Sequence, residues 1–145
     1  MTTKPLRFAF ACALALTPAV ARALPAGHWQ GDGQWTTGDG QTAPFTYDLT
    51  WAADHFQGSW TFEGHVVPFV TRLEQQGSFL KVYSGAELIG QGYCLGDQCH
   101  YSAVISNQGQ VEETFTLQGN DMLVIGSKSF VDQKVIWSAK LSRVP

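Results

Sequence analysis

Charge is scarce in this sequence, and positive charge most of all. Lys, Arg, Asp and Glu make up 14% of the 145 residues. Three of the nine bases fall in the first 23 residues, and the stretch after them carries six bases against twelve acids. Such a chain lacks the Lys/Arg-rich face of a generic nucleic-acid binder, so no nucleic-acid partner is expected. Apolar runs are short as well. The longest, Phe8–Leu16, has nine residues, where a spanning helix needs about 20, so no membrane insertion is expected. P-loop, nucleophile-elbow and paired-histidine zinc motifs are missing, and no enzymatic activity, catalytic residue or metal site is expected. What is present is 44% apolar and 12% aromatic residues, a composition that folds.

The first 23 residues read as an address. Lys4 and Arg7 precede the apolar run, Pro18 breaks it, and Ala19-Val20-Ala21 and Ala21-Arg22-Ala23 each fit an A-x-A cleavage site. This is the layout of a secretory signal peptide. Cleavage is expected after Ala23, with Ala21 the close competitor, and the product is expected to be secreted or periplasmic. Residues 24–145 then form a single domain.

That domain shows period two throughout. Phe45, Tyr47, Leu49 and Trp51 alternate with Thr46, Asp48 and Thr50; Val135, Trp137, Ala139 and Leu141 alternate with polar residues except at Ile136. Gly, Asn and Asp punctuate the runs. About ten strands are expected, roughly 27–36, 43–53, 56–63, 65–75, 78–84, 87–95, 98–106, 110–118, 121–128 and 131–143. Short turns make consecutive strands antiparallel neighbours. With no long crossover, the fold class is all-β, an antiparallel up-and-down barrel, which also removes exposed edges.

Several glycines share a face with apolar residues: Gly31 and Gly33 with Trp29 and Trp35, Gly58 with Phe56 and Trp60, Gly90 and Gly92 with Leu88, and Gly126 with Met122 and Val124. They either bend the strands into a barrel or leave room inside it. A cavity would be walled by Trp35, Tyr47, Trp51, Trp60 and Phe62, together with His65, Phe69, Phe115 and Trp137. Such walls suit a small hydrophobic or aromatic ligand. His65 is a cavity residue or a hydrogen-bonded rim residue. Glu113 is a buried acid, with Arg72 and Lys81 as countercharges, or marks a bulge.

Cys94 and Cys99 flank Leu95-Gly96-Asp97-Gln98, a four-residue hairpin loop, and an exported chain meets an oxidising compartment, so a disulfide is expected. The other readings of Cys94, Cys99 and His100 are a covalent haem attachment and a zinc site. The Gly-Asp-Gly-Gln copies at 31–34 and 38–41 lack the alternating acids of a calcium loop.

Gly27-His28-Trp29-Gln30-Gly31-Asp32-Gly33 has the pattern G-x-W-x-G-x-G, and Pro44-Phe45-Thr46-Tyr47 follows. This resembles the opening of the nitrobindin family of ten-stranded haem-binding barrels and, more loosely, the calycin superfamily that includes lipocalins. The resemblance implies a barrel with an internal site. It also implies haem, held through a late-strand histidine; the last strand offers Val135 to Leu141, none of them histidine, so no cofactor is expected. The lipocalin likeness implies that Arg143 stacks on Trp29 at one barrel end. The expected function is binding of a small hydrophobic molecule inside the barrel. The runner-up is a barrel-scaffold inhibitor of a hydrolase, such as a protease or lysozyme, and the third reading is a haem-binding protein.

Overall fold

A computed structural model describes residues 24–106 and 109–145. The expected leader lies outside the described residues, as do Asn107 and Gln108. Ten strands follow in order: β1 (Gly27–Thr37), β2 (Thr42–Trp51), β3 (His55–Phe62), β4 (His65–Gln76), β5 (Phe79–Ser84), β6 (Glu87–Leu95), β7 (Gln98–Ile105), β8 (Gly109–Gln118), β9 (Asp121–Ser129) and β10 (Lys134–Val144). Each pairs antiparallel with its sequence neighbours, and β1 pairs with β10 to close the barrel. Closure gives every strand a partner on both sides, although β4 meets β5 only over Arg72–Gln76.

The period-two pattern sorts the side chains. Inward positions carry Trp29, Tyr47, Leu49, Phe56, Phe115, Met122 and Leu141, all almost wholly buried. The intervening positions carry Asp48, Thr50, Lys140 and Ser142 and face outward or are half-exposed. The interior is filled by these side chains over most of its length. At one end Leu24 is buried and the Arg143 guanidinium stands 5.7 Å from the Trp29 ring centroid, donating also to the Ala26 carbonyl at 3.0 Å. This end is closed. The other end, where β1, β3 and β9 finish and β2, β4 and β10 begin, is the mouth.

The inward glycines do not leave holes. A Cβ on Gly31, Gly58, Gly90 or Gly92 would meet a carbonyl oxygen of the neighbouring strand at 1.9–2.1 Å. On Gly126 it would fall 2.3 Å from the Trp137 indole, and on Gly33 2.5 Å from the Phe45 ring. These glycines let strands coil tightly and seat aromatic rings flat against the wall.

Two local expectations are corrected. The hairpin closing the cystine is tighter than a four-residue loop: Leu95 pairs with Gln98, and Gly96-Asp97 makes the turn, with Gly96 at φ 59°. Cys94 and Cys99 are direct partners, bonded as a disulfide with Cα atoms 4.1 Å apart. In β6, Leu88 does not share the face of Gly90 and Gly92. Tyr83 pairs with Leu88 while Val82 pairs with Gly90, so Ile89 is the extra residue of a bulge and Leu88 turns outward, 57% exposed.

Candidate functional site

The mouth holds a pocket of about 310 Å³ lined by Trp35, Thr37, Phe45, Trp60, Phe62, Gln133, Val135 and Trp137. β1, β2, β3 and β10 bring the five rings together, because each strand places an inward residue on its last turn of pleat before the rim. The Trp60 and Trp137 rings stand 4.9 Å apart at 61°, and Phe45 lies 5.9 Å from Trp60. They form a corner walled by aromatic rings, with Gln133 at the rim and Thr37 beside it, its hydroxyl donating to Asp39 and accepting from the Gln41 N–H at 3.1 Å. A larger concavity of about 410 Å³ lies on the outer wall among Gln34, Thr36, Ser127, Ile136 and Ser138. His100, Glu112 and Trp137 also line it, whereas the mouth gathers five aromatic rings, so the mouth is the better candidate for an apolar ligand.

Beneath the mouth sits Glu113 of β8, only 2% exposed. Trp137 Nε1 donates to its Oε1 at 3.0 Å, the Tyr47 hydroxyl donates to the same oxygen at 3.3 Å, and the Tyr101 hydroxyl donates to Oε2 at 2.5 Å. Burial pushes the carboxyl up to about 7, and the three donors hold back part of that rise. Burial and the Glu113 charge together push the Tyr47 and Tyr101 hydroxyls well above their ordinary value. The buried Trp60 Nε1 leans toward the Tyr47 hydroxyl without completing a hydrogen bond.

The countercharges expected for Glu113 lie elsewhere. Arg72 pairs with Glu74 at 2.8 Å and stacks 3.8 Å from the Tyr83 ring centroid on the outer wall, and Lys81 is exposed opposite Glu74. Neutral donors take their place.

Of the nine expected cavity residues, Trp35, Trp60, Phe62 and Trp137 line the pocket. Tyr47 and Phe69 pack behind Trp60, with centroids 5.6 and 6.4 Å from it. Trp51 and Phe115 belong to the filled interior, against Phe56. His65 is exposed on the rim, paired in register with Phe62. Sequence reasoning missed Phe45 and Val135, although both share the inward face of residues it named; counting inward positions out to the strand ends at the mouth would have found them. Among the described residues no group of three His, Cys, Asp or Glu converges to hold a metal. Haem does not fit the pocket either: none of its eight lining residues is an axial-ligand type.

No protein-family model and no curated protein matches the chain by sequence. Solved structures that share its fold include the following two. A protein of unknown function from the DUF3598 family of Nostoc punctiforme aligns with a TM-score of 0.60 and 17% identity, over 90% of this chain and 53% of that one. Rv2717c from M. tuberculosis aligns with a TM-score of 0.51 and 12% identity, over 90% of this chain and 96% of that one. The chain thus spans about half the length of the first. At these identities the likeness carries the barrel and nothing about its ligand.

Proposed function

We propose that this protein is an exported barrel that binds a small hydrophobic or aromatic molecule at its open end. The observation that carries the reading is the mouth pocket, with five aromatic rings around about 310 Å³. An apolar cavity of about 150 Å³ holds one benzene ring, so a molecule of one or two rings suits this space. Burial against the rings supplies affinity, and Gln133 at the rim sets orientation. Export is supported by the leader pattern and by the Cys94–Cys99 disulfide. The G-x-W-x-G-x-G string on β1 supports a nitrobindin-like ancestry for the scaffold.

A filled interior also suits a scaffold that inhibits a hydrolase. The connections between strands span only two to four residues, which gives such an inhibitor no long loop to insert, so ligand binding is favoured.

The test is an NMR titration of the mature protein with 2-naphthol, a neutral two-ring probe. The indole N–H signals of Trp35, Trp60 and Trp137 shift saturably, while that of Trp29, at the closed end, stays fixed. Trp35→Ala weakens the binding by about tenfold, the effect of losing roughly 1.4 kcal/mol of ring contact. Shifts spread over all indoles, or none at millimolar probe, overturn the reading.

A further inference from the structure

The mouth carries more information than its apolar lining. Trp137 presents its ring to the pocket while its N–H is bound to the Glu113 carboxylate at 3.0 Å. An indole whose N–H is held by an anion is more electron-rich on its faces, and those faces attract cations. Trp60 meets Trp137 at 61° with centroids 4.9 Å apart, so two indole walls converge on one volume, and Phe45, Phe62 and Trp35 extend the enclosure. None of the eight lining residues is basic. The turns at this end contribute Asp39, Glu63 and Asp132, and Lys134 stands exposed at the start of β10, between the lining residues Gln133 and Val135. Lys128, on the inward side of β9, lies over Phe130 at 4.6 Å from its ring centroid and is not among the lining residues. The three turn acids thus face two bases at this end, Lys134 and Lys128, and the attraction for a cation comes from the aromatic faces.

We propose that the mouth pocket is an aromatic cage for an organic cation, a quaternary ammonium or protonated amine carrying an apolar group, with Glu113 acting from behind Trp137. This rests on the reading of the mouth as the ligand site and names the ligand class that site selects. The cation sits against the Trp60 and Trp137 faces, and its apolar group fills the space toward Trp35 and Phe62. Glu113 touches no ligand; it is a positioning residue that fixes the Trp137 ring and enriches its face. A neutral molecule of the same shape gains the apolar contacts and misses the cation–π attraction.

Benzyltrimethylammonium and its neutral isostere neopentylbenzene separate the two contributions. Both are titrated at pH 8 into the mature protein and followed by the indole N–H signals. The cation binds about tenfold tighter than the isostere, as a partly desolvated cation–π contact provides. In Glu113→Gln the preference falls to about twofold or less, while affinity for the isostere is unchanged. Where Glu113→Gln does not fold, Trp137→Phe serves: it keeps a ring, breaks the link to Glu113 and lowers affinity for the cation more than for the isostere, so the preference falls. Equal affinity for both probes, or tighter binding of the isostere, overturns the cage and leaves the apolar pocket standing. If neither probe binds, cage and pocket fall together.

Discussion

Glu113 makes stability depend on pH in one direction. Its carboxyl rises from 4.5 to about 7 in the folded barrel. Between those values the native state holds a proton that the unfolded chain has lost, so stability falls as pH rises through the window and is level above it. A displacement of that size is worth roughly 3 kcal/mol. Urea unfolding at pH 5, 6, 7 and 8 therefore shows a falling midpoint, and Glu113→Gln removes most of the slope. The carboxyls of Asp39, Asp54, Glu74 and Asp121 are instead held below their ordinary values by hydrogen bonds and ion pairs, so they move away from this window rather than into it. Parallel loss in both proteins would mean that the slope arises elsewhere. A second residue-scale prediction concerns Gly126. Alanine there drives a Cβ to 2.3 Å from the Trp137 indole, so the ring shifts off the wall, stability drops by about 1–3 kcal/mol, and the Trp137 N–H signal moves without ligand. Gly126 was legible in the sequence only as a glycine on an apolar face. That it seats a ring depends on the side-chain position of a residue eleven places away.

At the scale of elements, alternation and turn residues located all ten strands, because a strand with one buried face must repeat every two residues. They did not locate the β6 bulge. One extra residue inverts the face of everything before it, and Leu88-Ile89-Gly90 offers no local sign of which residue is extra. The β3–β4 turn shows the opposite case, where local chemistry and fold disagree. Glu63 and Gly64 both adopt positive φ, 48° and 78°, as a type I′ turn requires, yet Glu is a poor occupant of the first position. Glu63→Asn keeps the turn and raises stability by about 0.5–1 kcal/mol, read as a higher thermal midpoint. An unchanged or lower midpoint would show that the Glu63 side chain compensates for its backbone. The cystine staples the β6–β7 hairpin at the closed end. Replacing both Cys94 and Cys99 by serine costs about 2 kcal/mol in the chain-entropy account.

At the scale of the whole molecule, the two barrel ends divide the work. Whether the interior is empty was not legible in the sequence, because inward side chains are countable but their fit depends on how tightly the barrel coils and how the rings turn. Here Trp51, Phe56, Tyr101 and Phe115 stack and tilt against one another with centroids 5.3–6.2 Å apart, and they separate the closed end from the mouth. Rings in such contact form a wall that a ligand at the mouth does not cross. Disturbance at the closed end should then change stability and leave binding intact. Arg143→Ala removes the guanidinium over Trp29 and its bond to the Ala26 carbonyl, a loss of about 1–2 kcal/mol for an exposed cation–π contact and one hydrogen bond. The unfolding midpoint falls accordingly, while affinity for 2-naphthol at the mouth stays within about twofold, less than the roughly 1.4 kcal/mol of a tenfold change. Coupled losses of stability and affinity would instead mean that the closed end sets the shape of the mouth through coiling of the strands, and that the aromatic wall transmits strain rather than isolating it.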